Sequence, residues 1–147
     1  MPIRTTRRQM LIALPLMLLA LGAGATRATD APHKVVIQIS TEDLLSQTIA
    51  VNNAVNIQKH YGMDQVAIEV VAFGPGLTAM YKASPLAERI SSLAQQSITF
   101  SACGNTIAKV EKESGKKVEL TAGVGVVPAG VVRIMELQEQ GYSYLRP

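Results

Sequence analysis

The feature that most constrains the fold is a regular alternation of short apolar runs with segments whose apolar residues have helical spacing. Five runs stand out, and all but the last are rich in valine, isoleucine or other apolar residues. They are KVVIQI (34–39), QVAIEVVAF (65–73), SITFSA (97–102), GVGVV (123–127) and YSYL (142–145). Nearly continuous apolar runs of this length predict strands that are buried on both faces, as in parallel sheets.

The segments between these runs carry helix signals. Ser40 and Thr41 are candidate caps of a first helix that Gly62 ends, Ser84-Pro85 has a cap and a proline suited to a helix start, and Pro128 is predicted to begin the last helix. The order βαβαβαβαβ therefore predicts an α/β fold. We expect a flavodoxin-like three-layer sandwich of about five mainly parallel strands with helices on both faces.

The first 25 residues have the layout of an export signal. Arg4, Arg7 and Arg8 precede an uncharged apolar run of twelve residues from Met10 to Leu21, and a small-x-small site ends at Ala25. The run is shorter than the roughly 20 residues that span a bilayer. Cleavage is expected after Ala25, with cleavage after Ala28 or an uncleaved anchor as alternatives.

The pair Arg7-Arg8 also resembles a twin-arginine signal, and export predicts a periplasmic protein. We divide the chain into a signal peptide (1–25), a flexible lead (26–33) and an α/β domain (34–147). The 122 residues left after cleavage hold eleven basic and eleven acidic residues, so the basic excess of the whole chain belongs to the signal. This balance argues against nucleic acid as a partner, and contact with a membrane is expected only through an uncleaved signal.

Three loops are candidates for a binding site because ligands of open α/β sheets gather at the carboxyl ends of the strands. They are Ser40-Thr41, Gly74-Pro75-Gly76 and Cys103-Gly104-Asn105-Thr106. The sequence does not give the order of the strands, so it leaves open which loops are neighbours.

Cys103, the only cysteine, lies where the third strand ends and a helix begins. Unpaired N–H groups at a helix start stabilise a thiolate and lower the pKa of a cysteine. We expect the N–H groups of Gly104 and Asn105 to do so, Gly104 to allow close approach, and Asn105 and Thr106 to donate hydrogen bonds. The alternatives are a buried structural cysteine and an intermolecular disulfide, because one cysteine cannot form an internal disulfide.

Several other sites are disfavoured. His33 precedes the first strand and His60 ends the first helix, so neither is expected to act as a base for Cys103. One cysteine and two scattered histidines give no metal-ligand spacing, and no CxxC pair is present. The stretch GVGVVPAG departs from a dinucleotide fingerprint at Pro128. The sequence predicts neither a metal nor a cofactor.

Four pieces of the chain together resemble the DsrE/DsrF-like family of small sulfur-relay proteins. They are AFGPGL, SPLAERI, FSACGNT and VVPAGVVRIMELQEQGYSYLRP, and the resemblance covers residues 34–147. It implies a flavodoxin-like fold and homo- or hetero-oligomers that are often built on trimers. It also implies that Cys103 accepts sulfane sulfur as a persulfide and passes it on.

The export signal departs from the relay members of the family, which work in the cytoplasm with partner subunits. The resemblance thus indicates an exported branch. Its expected partners are copies of the same chain and a sulfur donor or acceptor protein. The sequence leaves two functions open: a sulfur carrier that acts through Cys103, with Gly74, Pro75 and Gly76 at the border of its pocket, or a non-catalytic binding or assembly module.

Overall fold

All five predicted strands form, and they make one sheet. The computed structural model describes residues 31–147, in which the strands are β1 (His33–Ile39), β2 (Val66–Ala72), β3 (Ile98–Cys103), β4 (Val124–Val127) and β5 (Ser143–Leu145). Their order across the sheet is β4-β3-β2-β1-β5, and every neighbouring pair is parallel. The predicted parallel α/β sandwich is confirmed, although β1 begins one residue earlier than expected. The predicted signal peptide, both cleavage positions and the Arg7-Arg8 pair lie outside the described residues.

Four α-helices and one 3₁₀ helix connect the strands. They are α1 (Leu44–Tyr61), the 3₁₀ helix (Gly74–Met80), α2 (Ala87–Ala94), α3 (Gly104–Ser114) and α4 (Gly130–Glu139). The chain crosses the sheet in one direction from β1 to β4, and α4 then returns it to β5 at the far edge. No helix within residues 31–147 is both long and apolar enough to cross a bilayer.

The core has two layers because successive side chains of a strand point to opposite faces of the sheet. On one face α1 and α2 cover the larger cluster, which includes Ile37, Val70 and Phe100. On the other face α4 contributes Ile134 and Leu137, which pack on side chains of β1 and β2: Val36 and Val71. Helix α3 has no fully buried residue.

Helix α1 starts later than the sequence indicated. Asp43 is its N-cap, because Oδ2 of Asp43 accepts a hydrogen bond of 2.8 Å from the N–H of Ser46. The predicted caps were wrong: Thr41 Oγ1 accepts from the Asp43 N–H at 3.2 Å, and Ser40 lies farther from the helix. The carboxylate of Asp43 outcompetes them, since it reaches the free N–H groups of the first turn.

Two other helix starts also shift by two residues. Ser84 Oγ accepts from the N–H of Leu86 at 3.1 Å, so Ser84 stabilises a turn and α2 begins at Ala87. The Pro128 carbonyl accepts from the N–H of Asn105 at 3.1 Å, and α4 begins only at Gly130. A local hydrogen bond holds the first proline-containing segment outside its helix, and a hydrogen bond from the first turn of α3 does so for the second.

Candidate functional site

The strand order brings the three predicted loops to one end of the sheet. The loops follow β1, β2 and β3, which are adjacent strands. Phe73 donates its N–H to the Ile39 carbonyl at 3.1 Å, and Gly74 donates its N–H to Thr106 Oγ1 at 3.0 Å. The loop after β2 therefore contacts the end of β1 on one side and the first turn of α3 on the other, and the site centres on the loops after β2 and β3.

Cys103 lies at the middle of this arrangement. It is the last residue of β3 and the N-cap of α3, with extended backbone angles (φ −73°, ψ 116°). Only 5 % of its surface is exposed, and its thiol is free. The start of α4 lies beside it, because a Cβ added to Gly130 would lie 3.3 Å from the Cys103 Cβ. The starts of two helices, α3 and α4, thus meet at one sulfur.

The surroundings of Cys103 favour its thiolate. Burial on its own raises the pKa of the Cys103 thiol, but hydrogen bonding from the Thr106 hydroxyl and from the N–H groups of Gly130, Thr106 and Asn105 outweighs burial and lowers the pKa below its ordinary value. The neutral thiol is a weak acceptor and makes no capping hydrogen bond with α3. These donors therefore act mainly on the ionised sulfur.

The predicted site residues have distinct positions. Thr106 joins the two loops, and its oxygen accepts from Gly74, so its proton is available to Cys103. Asn105 is exposed, and its N–H is shared with the Pro128 carbonyl. Pro75 is exposed in the first turn of the 3₁₀ helix. The loop Gly74–Gly76 borders Cys103 through Thr106.

Two predicted glycines permit close packing of backbone. A Cβ on Gly76 would overlap the Ile39 carbonyl and lie 2.7 Å from the Ser40 nitrogen, so this position holds the loop after β2 against the end of β1. A Cβ on Gly104 would lie 3.1 Å from the Val127 carbonyl oxygen. The backbone donors to Cys103 are Asn105, Thr106 and Gly130, so Gly130 takes the place that was expected for Gly104.

The sequence interpretation missed Gly130 and a polar cluster beneath it. Glu69, Ser101 and Arg133 lie on the α4 face of the sheet and are joined by hydrogen bonds. A signal for the cluster was available, since Glu69 is the only charged residue in the apolar run of β2 and a buried carboxylate requires a partner. No local signal indicated Gly130, because its role depends on β4 lying beside β3.

Neither histidine reaches Cys103. His33 stacks on Tyr61 with ring centroids 3.9 Å apart, and His60 meets the same ring edge-on at 4.7 Å. This cluster lies at the amino-terminal end of β1, opposite the candidate site. Among residues 31–147 no group of three potential ligands could hold a metal ion. Cys103 is therefore surrounded by backbone and hydroxyl donors and has no histidine base.

Comparison with solved structures places this fold among known proteins. The chain is similar to MTH1491 from Methanobacterium thermoautotrophicum, a protein of unknown function. The two chains are 32% identical and superpose with a TM-score of 0.70 over 78% of this chain and 99% of the other. The chain therefore belongs to the same protein family as MTH1491.

A second solved structure has the same fold. The YchN protein of E. coli superposes with a TM-score of 0.60 over 76% of this chain and 96% of its own, at 12% identity. No protein-family model and no curated protein sequence matches the chain. The family resemblance inferred from the sequence is thus supported at the level of the DsrE/YchN-like fold, and neither neighbour supplies a function.

Proposed function

We propose that this DsrE/YchN-like protein carries sulfane sulfur on Cys103. The observation that supports the proposal is the meeting of two helix starts at this thiol, where hydrogen bonding lowers its pKa. A lowered pKa raises the thiolate fraction near neutral pH, and the thiolate is the nucleophile of sulfur exchange. The resemblance of FSACGNT to the persulfide-forming segment of sulfur-relay proteins points to the same atom.

The proposed reaction is a balanced exchange. The Cys103 thiolate attacks the outer sulfur of a donor persulfide, RS–SH, and a new S–S bond forms on Cys103. The S–S bond of the donor breaks, RS⁻ leaves with the electron pair, and the proton stays with the transferred sulfur. An acceptor thiolate takes the sulfur by the same step, so the cycle needs no separate oxidant. The N–H groups of Asn105 and Gly130 and the Thr106 hydroxyl stabilise the departing Cys103 thiolate.

Persulfide formation on the native protein tests this proposal. The purified chain is exposed to a low-molecular-weight persulfide at pH 7 and analysed by mass spectrometry. We expect one added sulfur atom on Cys103, formed faster than on the same thiol after the chain is unfolded in urea. A Cys103→Ser variant controls for addition elsewhere. An unmodified thiol that also resists alkylation at neutral pH would refute the proposal.

A non-catalytic binding or assembly module is the second candidate. The burial of Cys103, at 5 % exposure, favours a structural thiol. In that case Cys103→Ser leaves the function of the chain intact. If Cys103→Ser abolishes sulfur transfer while the fold and the assembly persist, the structural alternative is rejected.

We also propose that the chain assembles with copies of itself. Exposed apolar side chains lie beside the site, on the sheet-edge strand β4 and on the outer face of α4: Val126, Val131, Val132 and Met135. Covering them would remove apolar surface from water. Light scattering should show an oligomer that Met135→Glu dissociates. Leu45→Glu, on the exposed side of α1, is the control. A monomeric native chain at micromolar concentration would contradict the proposal.

Export to the periplasm is a further proposal, supported by the sequence of residues 1–25 alone. Cell fractionation followed by N-terminal sequencing should find a mature chain that begins at Thr26. Replacing Arg7 and Arg8 by lysine should block export if the twin-arginine route is used. Recovery of the full-length chain from the cytoplasm of unmodified cells would contradict export.

A further inference from the structure

An ion pair lies beneath the start of α4. Glu69, in the middle of β2, has a side chain that is only 5% exposed, and its two oxygens accept hydrogen bonds from Nε and Nη2 of Arg133 at 2.9 and 2.8 Å. Ser101 donates its hydroxyl to Glu69 Oε1 at 2.7 Å. This planar, two-point contact fixes the direction of the guanidinium as well as its position.

The cluster of Glu69, Ser101 and Arg133 approaches Cys103 and its neighbour Gly130 along two elements, β3 and α4. Ser101 and Cys103 are two residues apart on β3, so they lie on the same face of the sheet. Gly130 and Arg133 are three residues apart on α4, so they lie on the same side of the helix. Helix α4 therefore meets the sheet at two successive points, at Cys103 through Gly130 and at Glu69 through Arg133.

The first turn of α4 has few other attachments. Val131 and Val132 are exposed, and the apolar anchors Ile134 and Leu137 come later in the helix. A Cβ on Gly130 would lie 3.1 Å from Phe73, so the start of α4 packs closely against the residue that follows β2. Arg133 is the polar side chain of this turn that reaches a buried partner.

We propose that Glu69 and Arg133 are positioning residues for Cys103, because their ion pair holds the first turn of α4 where the Gly130 N–H faces the sulfur. The inference deepens the proposed function and rests on it only in taking Cys103 as the reacting group. A buried ion pair contributes little to stability compared with apolar residues of the same volume. Its two parallel hydrogen bonds instead hold α4 in one orientation.

The charges of Glu69 and Arg133 allow positioning of α4 to be distinguished from a direct electrostatic effect on the thiol. If the pair acted on Cys103 through its electric field alone, Glu69→Gln would lower the pKa of the thiol, and Arg133→Lys, which keeps the positive charge, would leave it unchanged. If the pair acts by holding α4, either substitution withdraws the Gly130 N–H and raises the pKa. Glu136 is the other charged group near the guanidinium, at 3.5 Å from Arg133 Nη1, and it is not substituted in any variant.

The test measures the pKa of the sole cysteine from the pH dependence of its alkylation by iodoacetamide. The variants are Glu69→Gln and Arg133→Lys, which keep similar size. The control is Glu119→Gln, which breaks an exposed ion pair with Lys82. We expect the pKa to rise by about one unit in both variants, since one donor to a thiolate is weakened, with about tenfold slower alkylation below the pKa. The control should match the native chain.

An unchanged pKa in both variants, or a lower pKa in Glu69→Gln, would overturn the positioning role. Circular dichroism verifies that each variant is folded. If Arg133→Lys does not fold, Glu69→Gln decides alone, with Ser101→Ala as a milder disturbance of the same carboxylate that should raise the pKa by a smaller amount. These measurements report only the acidity of Cys103, so they test the positioning role even if Cys103 accepts no sulfur. Failure to accept sulfur would refute the proposed function and not the positioning role.

Discussion

Gly74 donates its backbone N–H to the Thr106 hydroxyl across 3.0 Å, and this bond joins the loop after β2 to the first turn of α3. Because the hydroxyl oxygen already accepts from Gly74, its own proton can be donated to Cys103, the direction in which Thr106 lowers the thiol pKa. Two loops that lie about thirty residues apart in the sequence therefore act on a single sulfur atom.

Replacement of Thr106 by valine should make the thiol less acidic. The change keeps the shape of the side chain but removes both the acceptor for Gly74 and the donor to Cys103. We expect the pKa of Cys103 to rise by about one unit, the size of one hydrogen bond to a charged group. The pH dependence of alkylation measures it. Thr99→Val, at an exposed position of β3, is the matched control; equal pKa values in the two variants would show that the hydroxyl does not act on the sulfur.

Two glycines of the same loop should differ in their tolerance of alanine. A Cβ on Gly76 would meet the backbone at Ile39 and Ser40, whereas one on Gly74 would meet nothing within 4 Å. We expect Gly76→Ala to lower the free energy of unfolding by about 3 kcal/mol, because backbone atoms cannot move aside. Gly74→Ala should lower it by only about 1–2 kcal/mol through its left-handed backbone (φ 55°). Urea unfolding measures both, and equal losses would contradict this account.

The sequence predicts the strands well because each is a compact run of apolar residues with an evident boundary. Helix starts are less predictable, since Ser40, Thr41 and Asp43 all have capping side chains and only the geometry shows that Asp43 reaches the free N–H of Ser46. Local composition therefore limits where a helix begins without selecting one residue.

The residues of the candidate site likewise differ in how well the sequence predicts them. Cys103 and Thr106 are predictable because a strand end followed by a helix start is visible within seven residues. Gly130 is not, since its contact with Cys103 depends on β4 pairing with β3 and on the direction in which α4 leaves the sheet. The partner of Glu69 depends on the same two features, so a buried carboxylate can be suspected from the sequence while Arg133 cannot be chosen.

The lowered pKa of Cys103 should also affect stability. Because the folded-state pKa lies below the unfolded value of about 8.5, the thiolate contributes its full stabilisation above the unfolded pKa and loses it as the pH falls through the folded pKa. We expect the free energy of unfolding of the native chain, relative to Cys103→Ser, to increase as the pH rises from the folded-state pKa to the unfolded pKa of about 8.5. Urea unfolding under reducing conditions measures this difference, and one that falls or stays constant with pH would contradict a stabilised thiolate.

Replacement of Gly130 by alanine should move the start of α4 away from the sulfur. A Cβ there would lie 3.1 Å from Cβ and Cδ1 of Phe73 and 3.3 Å from the Cys103 Cβ, which is closer than side chains normally pack. Alanine favours a helix over glycine by up to about 1 kcal/mol, yet we expect a net loss of about 1 kcal/mol of stability, because crowding outweighs the propensity. The alkylation of Cys103 at pH 7 should also become slower, since the Gly130 N–H withdraws.

Gly125→Ala is the matched control for this last variant, because its Cβ would meet only the Phe100 carbonyl oxygen at 3.8 Å, an ordinary contact. Urea unfolding and the pH dependence of alkylation are measured on both variants. If Gly130→Ala were more stable than the native chain and its thiol kept the native pKa, the close approach of α4 would have no bearing on the acidity of Cys103. The expected slower alkylation instead ties the reactivity of the sulfur to the placement of a helix that begins 27 residues after it in the chain.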